Sequence, residues 1–347
     1  MSPLLARDFN FDLPAELIAQ APRRRGDSRM LVVSRQKEKP ILHNAIRDLP
    51  ELLEPGDCLV VNDSKVIPAR LHVEKETTGA RIELLLHRET APAQWEALAR
   101  PYRRVTAGTL LRAGNRSLRV AELLGAGRVR VDFGTRQAAR WILQHHGEPP
   151  LPPYIRRAAP ADLKRDRNRY QTVYAAHPGS VAAPTAGLHF SRGLLQRLKA
   201  GGIKVVSVTL HVGWGTFSPL PEGDLTDVLL HPERYRIPEE TAAALAAARR
   251  AGKRVIAVGT TAARTLESAA AATGEVLAGE GETRLFIQPG YAWKTVDGLL
   301  TNFHLPESSL LMLVCALGGR HRILEAYREA VQQKYHFYSY GDAMLLL

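Results

Sequence analysis

Residues 170–190, YQTVYAAHPGSVAAPTAGLHF, place Tyr170, Tyr174, His177, Thr185 and His189 in a stretch broken by Pro178, Gly179, Pro184 and Gly187. That density of proline and glycine excludes a helix and a central strand. The stretch reads as a long ordered loop, because loops of this length are functional or disordered and its Ala, Val and aromatic content argues for order. A second group is VGTTAARTLES at 258–268, where a buried strand ends in Gly259, then Thr260 and Thr261, then a helix holding Arg264. Backbone N–H groups at such a helix start, with two hydroxyls, suit a carboxylate or phosphate. Plain N-capping by Thr, with Arg264 on the solvent face, would give the same pattern.

Three further groups could carry chemistry. In TLHVGWGTF, 209–217, His211 ends a strand and Trp214 sits in a G-x-G turn. Pro219 follows where a dinucleotide-binding helix would have to begin, so this is no Rossmann loop. The turn either closes on a ligand or packs its Trp as a hairpin would. In NDSKVIPAR, 62–70, Asn62, Asp63 and Arg70 gather at the end of a buried strand, where α/β sheets bind ligands; Asx-turn chemistry at a crossover is the alternative. Residues 297–309, DGLLTNFHLPESS, put Asn302 and His304 in a polar loop before an apolar helix, with Glu307, Ser308 and Ser309 suited to capping it. The histidines show no H-E-x-x-H or comparable spacing, so no metal is expected. No G-x-x-x-x-G-K-[ST] occurs.

The elements that must position these groups fall into two textures. From 69 to 133, short β-rich runs separated by turn signals predict an antiparallel sheet or small barrel, rich in arginine. A short helix at 135–145 and the prolines at 149–153 close that segment. Elsewhere strands alternate with helices: a short helix after Asp12, strands at 30–34, 57–62, 203–211 and 254–258, and helices at 191–198 and 238–250. The expected fold is an α/β main domain with a mixed sheet, residues 1–68 and 152–347, interrupted by an inserted small antiparallel β-barrel domain at 69–151.

The chain has 347 residues and a formal charge of +12. That charge predicts attraction to a polyanion, nucleic acid or an anionic membrane surface, unless it is spread as a solubility charge. Basic residues cluster in the β-rich segment and at 156–169, beside the aromatic loop, as structured RNA would require. The first residues lack a continuous apolar core and no run approaches bilayer length. Cys58 and Cys315 both sit in apolar contexts, which suggests buried thiols in a reducing compartment. A cytoplasmic location is expected, with no membrane partner.

In order along the chain, FDLPAELIAQAP, GDCLVVNDSKVIPARL, LPPYIRR, the 170–190 loop, VTLHVGWGTFSPL, RVIAVGTTAARTLES, VDGLLTNFHLPESSLLMLV and YHFYSYGDAML resemble the S-adenosylmethionine:tRNA ribosyltransferase-isomerase family of queuosine biosynthesis. The resemblance spans 11–345. It implies transfer and isomerisation of the ribosyl part of S-adenosylmethionine onto 7-aminomethyl-7-deazaguanine at the tRNA wobble position, giving epoxyqueuosine-tRNA, adenine and methionine. It implies S-adenosylmethionine as the ribosyl donor, tRNA as partner and no metal; a monomer is expected. The sulfonium acidifies the ribose C5′ hydrogens, so a base must remove one; His189, His211 and Glu233 are the acid–base candidates, in that order. Thr260, Thr261 and Arg264 would hold the methionine carboxylate, and Trp214 or Tyr170 would face the sulfonium. Asn62, Asp63, Arg70, Thr185, Asn302 and His304 complete the substrate-binding set. The family usually carries H-x-M-H-S-E after TLHVG; here Val228 and Pro232 replace its first His and its Ser. An S-adenosylmethionine-dependent RNA methyltransferase is the competing reading, although its glycine-rich loop is missing.

Overall fold

The computed structural model describes residues 4–36, 38–157, 160–213 and 220–347, without the side chains of 160, 161 and 164. Among the described residues a nine-stranded mixed sheet forms the body. Near its centre Cys58–Asn62 runs parallel to Lys204–Leu210 on one side and to Val255–Val258 on the other. Val255–Val258 pairs in parallel with Gly298–Asn302, which runs antiparallel to Ala343–Leu346. Arg29–Val33 and Leu42–Ala45 complete one edge, and Glu233–Ile237 and Gly279–Thr283 the other.

These central strands are continuous apolar runs because both faces are covered. Alternate residues serve opposite layers. Val60, Ala257 and Leu299 pack with the helices Glu239–Arg250, Thr260–Ala269, Ser309–Gly318 and Arg320–Gln332. Leu59, Ile256 and Leu300 pack on the other face, against Arg192–Ala200. Three helix starts are capped by side chains: Thr135, Ser191 and Ser308 each accept the backbone N–H three residues on, the last as expected of 307–309. Cys58 and Cys315 are buried free thiols, pushed up to about 11 and about 12 by burial.

The second sheet is built from residues 70–132, with Gly147–Glu148 added to its first strand. Six antiparallel strands close on themselves, because Arg70–Lys75 pairs with both Arg81–Ala91 and Leu110–Ala113. Closure removes the exposed edges, and Leu71, Leu84, Ala97, Leu111, Val120 and Val131 fill the interior. The fold is therefore a mixed-sheet α/β domain with an inserted antiparallel β-barrel.

Local expectations at two places change. The stretch after Asp12 forms only a 3-10 turn, Ala15–Leu17, because Leu17 is pinned to the tail: Phe337 N donates to Leu17 O at 2.8 Å and Ala19 N to Phe337 O at 3.3 Å. The basic run before Tyr170 is a helix, Pro160–Arg169, and much of its charge is committed internally. Arg157 pairs with buried Asp166 at 2.5 Å, Arg167 donates to the carbonyls of Gln144 and Gly147, and Arg169 to that of Arg23.

Candidate functional site

Four parallel or neighbouring strands end at one side of the main sheet, and a cleft opens there, as expected outside the carboxyl ends of α/β strands. Its volume is about 410 Å³, within the size range of small-molecule sites. The segment after Val255–Val258 supplies Gly259, Thr260 and Thr261, and that after Gly298–Asn302 supplies Asn302 through Leu310. The 182–186 loop forms another wall, held in place where Ser180 Oγ donates to Ala182 O at 2.7 Å and accepts Val212 N at 3.0 Å.

Gly259 makes the turn into the helix at φ +89°, a left-handed conformation that favours glycine. Its N–H is used by Leu300 O at 2.7 Å. No side chain caps the helix Thr260–Ala269, so the first-turn N–H groups face the cleft beside two threonine hydroxyls. Asn62 fixes this corner from behind. Its amide donates to Leu210 O at 3.0 Å and to Thr261 Oγ1 at 3.2 Å, and its Oδ1 accepts from Ser64 and Leu210 N–H groups.

The opposite wall is aromatic. Tyr154 and Tyr338 stack obliquely at 4.6 Å between centroids, and Tyr154 Oη shares a 2.6 Å hydrogen bond with Ser339 Oγ. Phe303 adjoins them. Two non-glycine residues lining the cleft hold left-handed backbone, Glu307 at φ +57° and Tyr338 at φ +72°; strain of this kind gathers at functional sites. His304 lines the cleft with Nε2 at 2.8 Å from Thr301 Oγ1, and burial lowers its pKa to about 3. It is neutral at physiological pH.

The expected residues separate into layers. Thr185, Thr260, Thr261, Asn302 and His304 line the cleft together. Asn62, Tyr170 and His189 stand one layer behind. Tyr170 is fully buried, edge-on to Tyr340, with its hydroxyl beside Ala183 and Ser339. His189 is 4% exposed and hydrogen-bonds Ser28 Oγ at 2.9 Å; burial lowers its pKa to about 4 against the pull of Asp342 and of Asn302. Gly187 packs this layer, since a Cβ there would meet Tyr174 Oη at 2.1 Å.

Others lie outside the cleft. Asp63 accepts from Thr209 Oγ1 at 2.6 Å and holds the backbone of Ala176. His211 packs against Gly179 rather than facing the cleft. Arg70 belongs to the barrel and donates to Leu151 O at 3.0 Å. Trp214 falls outside the described residues. Of His189, His211 and Thr261, only Thr261 lines the cleft: His189 is buried behind it and His211 packs against Gly179.

Glu233 and Arg264 occupy an adjoining cavity of about 110 Å³ at the seam with the barrel. They form a buried ion pair, in which Arg264 Nη1 donates to Glu233 Oε2. Glu233 Oε1 accepts Gly213 N at 3.1 Å, and Arg264 Nε donates to Leu285 O at 3.0 Å. Arg264 does not reach the main cleft. His87 and Arg128 of the barrel and His231 of the α/β domain complete this cavity, which shares Ser309 and Leu310 with the cleft. Val228, where the resemblance expects histidine, packs against the main core. Among the described residues no group of three or more His, Cys, Asp or Glu could hold a metal ion, and no helix is long and apolar enough to cross a membrane.

Tyr154, Phe303, Tyr338 and Ser339 are site residues that sequence reasoning did not single out. The usable signal was the polar–aromatic density of LPPYIRR and YHFYSYGD.

A family model described as queuosine biosynthesis protein matches residues 6–346. Proteins named S-adenosylmethionine:tRNA ribosyltransferase-isomerase are similar over almost the whole chain. That of Anaeromyxobacter sp. is 51% identical, covering 98% of both chains, and that of Thermus thermophilus is 50% identical with the same coverage. The crystal structure of S-adenosylmethionine tRNA ribosyltransferase from Thermotoga maritima is 37% identical, with a TM-score of 0.56 over 98% of this chain and 100% of that one. An α/β body with a strand-end cleft, an inserted barrel and relatives of this length and identity lead to one conclusion: the chain belongs to the queuosine biosynthesis protein family and is a transferase of the S-adenosylmethionine:tRNA ribosyltransferase-isomerase type.

Proposed function

We propose that this enzyme takes the ribosyl group of S-adenosylmethionine, attaches it to the aminomethyl nitrogen of 7-aminomethyl-7-deazaguanine at the wobble position of tRNA, and rearranges it to the epoxycyclopentanediol of epoxyqueuosine. The bonds from ribose to adenine and from C5′ to sulfur break, releasing adenine and methionine. The observation that carries this reading is the pairing, across one 410 Å³ cleft, of an uncapped helix N-terminus with an aromatic wall.

S-Adenosylmethionine has an anionic end and a flat aromatic end, and the cleft matches both. The N–H groups and hydroxyls of Thr260 and Thr261 take the methionine carboxylate, while Tyr154 and Tyr338 offer faces for adenine. Glu307 brings a carboxylate to the same cleft for the sulfonium, for which Trp214 or Tyr170 was the expected partner. Among the acid–base candidates, Glu233 lies in the cavity contiguous with the cleft; His189, through its contact with Asn302, is a positioning residue. We infer that 69–151 acts as the inserted unit and 1–68 with 152–347 as the catalytic one, since the wall of the second cavity comes from both.

The test uses S-adenosylmethionine labelled separately in ribose and methyl. Ribose label should enter tRNA that carries 7-aminomethyl-7-deazaguanine, with free adenine released and the methyl label leaving on methionine. Methyl label in the RNA would identify a methyltransferase instead. Thr261→Val should raise KM for S-adenosylmethionine on the order of tenfold and lower stability by about 1 kcal/mol, since it removes one cleft hydroxyl and one partner of Asn62. A KM within twofold of the wild type would place the carboxylate elsewhere.

A further inference from the structure

A surface outside the cleft carries positive charge that the fold neutralises only in part, Arg47 lying 3.9 Å from Asp48. Arg24, Arg25, Arg47 and Arg197 line an open groove of about 310 Å³, and Asp27 is the single acid among its lining residues. The arginines are held by carbonyls more than by carboxylates. Arg197 Nη1 donates to Arg47 O at 3.1 Å, and Arg25 donates to Leu188 O at 3.0 Å and to Gln171 O at 2.5 Å. The Arg24 side chain makes no hydrogen bond or ion pair among the described residues, and the residue is exposed. Holding four like charges around one concavity costs repulsion, which a polyanion would relieve. None of the exposed large apolar residues lines the groove, so it lacks the anchor a membrane surface site uses.

The groove also adjoins the reaction site. A small cavity beside it, lined by Arg23, Arg24, Arg25 and Arg169, has Ser339 as a wall, and Ser339 also lines the cleft. We infer that this groove binds RNA sugar–phosphate backbone, holding phosphates of the tRNA whose modified base enters the cleft; this rests on the ribosyl-transfer reading. The arginines set position and affinity without reading sequence.

The experiment measures binding of an unmodified tRNA transcript across a salt series. The triple variant Arg24→Ala/Arg47→Ala/Arg197→Ala should bind on the order of tenfold more weakly near ~150 mM salt, with the slope of log K against log salt reduced by about 2 to 3. Arg24→Glu, which removes no side-chain hydrogen bond or ion pair among the described residues, should weaken binding several-fold with an unchanged melting temperature. Unchanged affinity and slope in both variants would overturn the inference. So would a groove whose loss abolishes binding to phosphatidylserine vesicles while tRNA binding stays intact. Binding of unmodified tRNA needs no turnover, so the two readings fail separately: absence of adenine release by the wild type rejects ribosyl transfer, and normal release with unchanged tRNA binding in the variants rejects only the groove.

Discussion

Arg264→Ala is expected to lower the unfolding free energy by about 3–5 kcal/mol, the cost of leaving one buried charge without its partner. The side chains of Arg264 and Glu233 are only 6% and 5% exposed. Removing the guanidinium takes the buried carboxylate's Arg264 partner away while its bond from Gly213 N–H stays, and it also strips Leu285 O of that donor. The double variant Arg264→Met/Glu233→Met should recover most of the loss, because neither charge then needs compensation. Urea unfolding of the wild type, both single variants and the double variant closes the cycle. A single-variant loss below about 1 kcal/mol, the ceiling for exposed pairs, would mean that water reaches the pair. Glu233→Gln adds the catalytic test: it keeps a hydrogen-bonding side chain of the same shape, so a large fall in adenine release with substrate KM values unchanged would support an acid–base role. A fall matched by lost stability would leave Glu233 a structural partner of Arg264.

The parts of the site that were legible in the sequence are those whose chemistry is local. Gly259-Thr260-Thr261 follows an apolar run directly, and the strand-to-helix turn it implies is the one observed. Ser308 caps its helix as its neighbours suggested. Barrel texture appeared in short strands with turn signals, but closure depended on the pairing of Glu74 with Arg112 and Lys75 with Leu111, a long-range register that no local pattern carries. The same limit hid the aromatic wall. Tyr154 and Tyr338 are far apart in sequence and meet only because the tail turns at Tyr338 through a left-handed residue and pins Asn302 Nδ2 with its carbonyl at 2.8 Å. His189 shows a related limit. A polar residue in a glycine-rich loop invites a catalytic reading, yet its burial is decided by Phe190 and Leu188 packing into two different cores. Arginine counts misled for a related reason: at 157–169 the guanidiniums are engaged by Asp162, Asp166 and backbone carbonyls, whereas the side chain of Arg24, in a less conspicuous segment, has no hydrogen-bond or ion-pair partner among the described residues.

Acidification should unfold this protein earlier than its carboxylates alone would require. His189 and His304 are neutral in the folded chain because burial lowers their pKa values to about 4 and about 3, whereas an unfolded histidine titrates near ~6.5. Between those values the unfolded chain binds protons that the native state refuses, so stability is present above pH ~6.5 and is lost as pH falls toward the folded pKa values. Each histidine is expected to withdraw about 3 kcal/mol by pH ~4, and His87, lowered to about 4 chiefly by burial and then by Arg88, acts in the same direction. Urea unfolding at pH steps from 7.5 to 4.5 (about three units, enough to span most of the window) measures the slope. His304→Gln should flatten the curve below pH ~6.5 while costing stability at pH 7.5, because a side chain that cannot gain a proton drops out of the linkage. A wild-type curve level from pH ~6.5 to ~4.5 would show that water reaches both rings. The same burial bears on the cleft: near neutrality His304 adds no positive charge to a lining that includes Glu307, which suits the proposed binding of a sulfonium there.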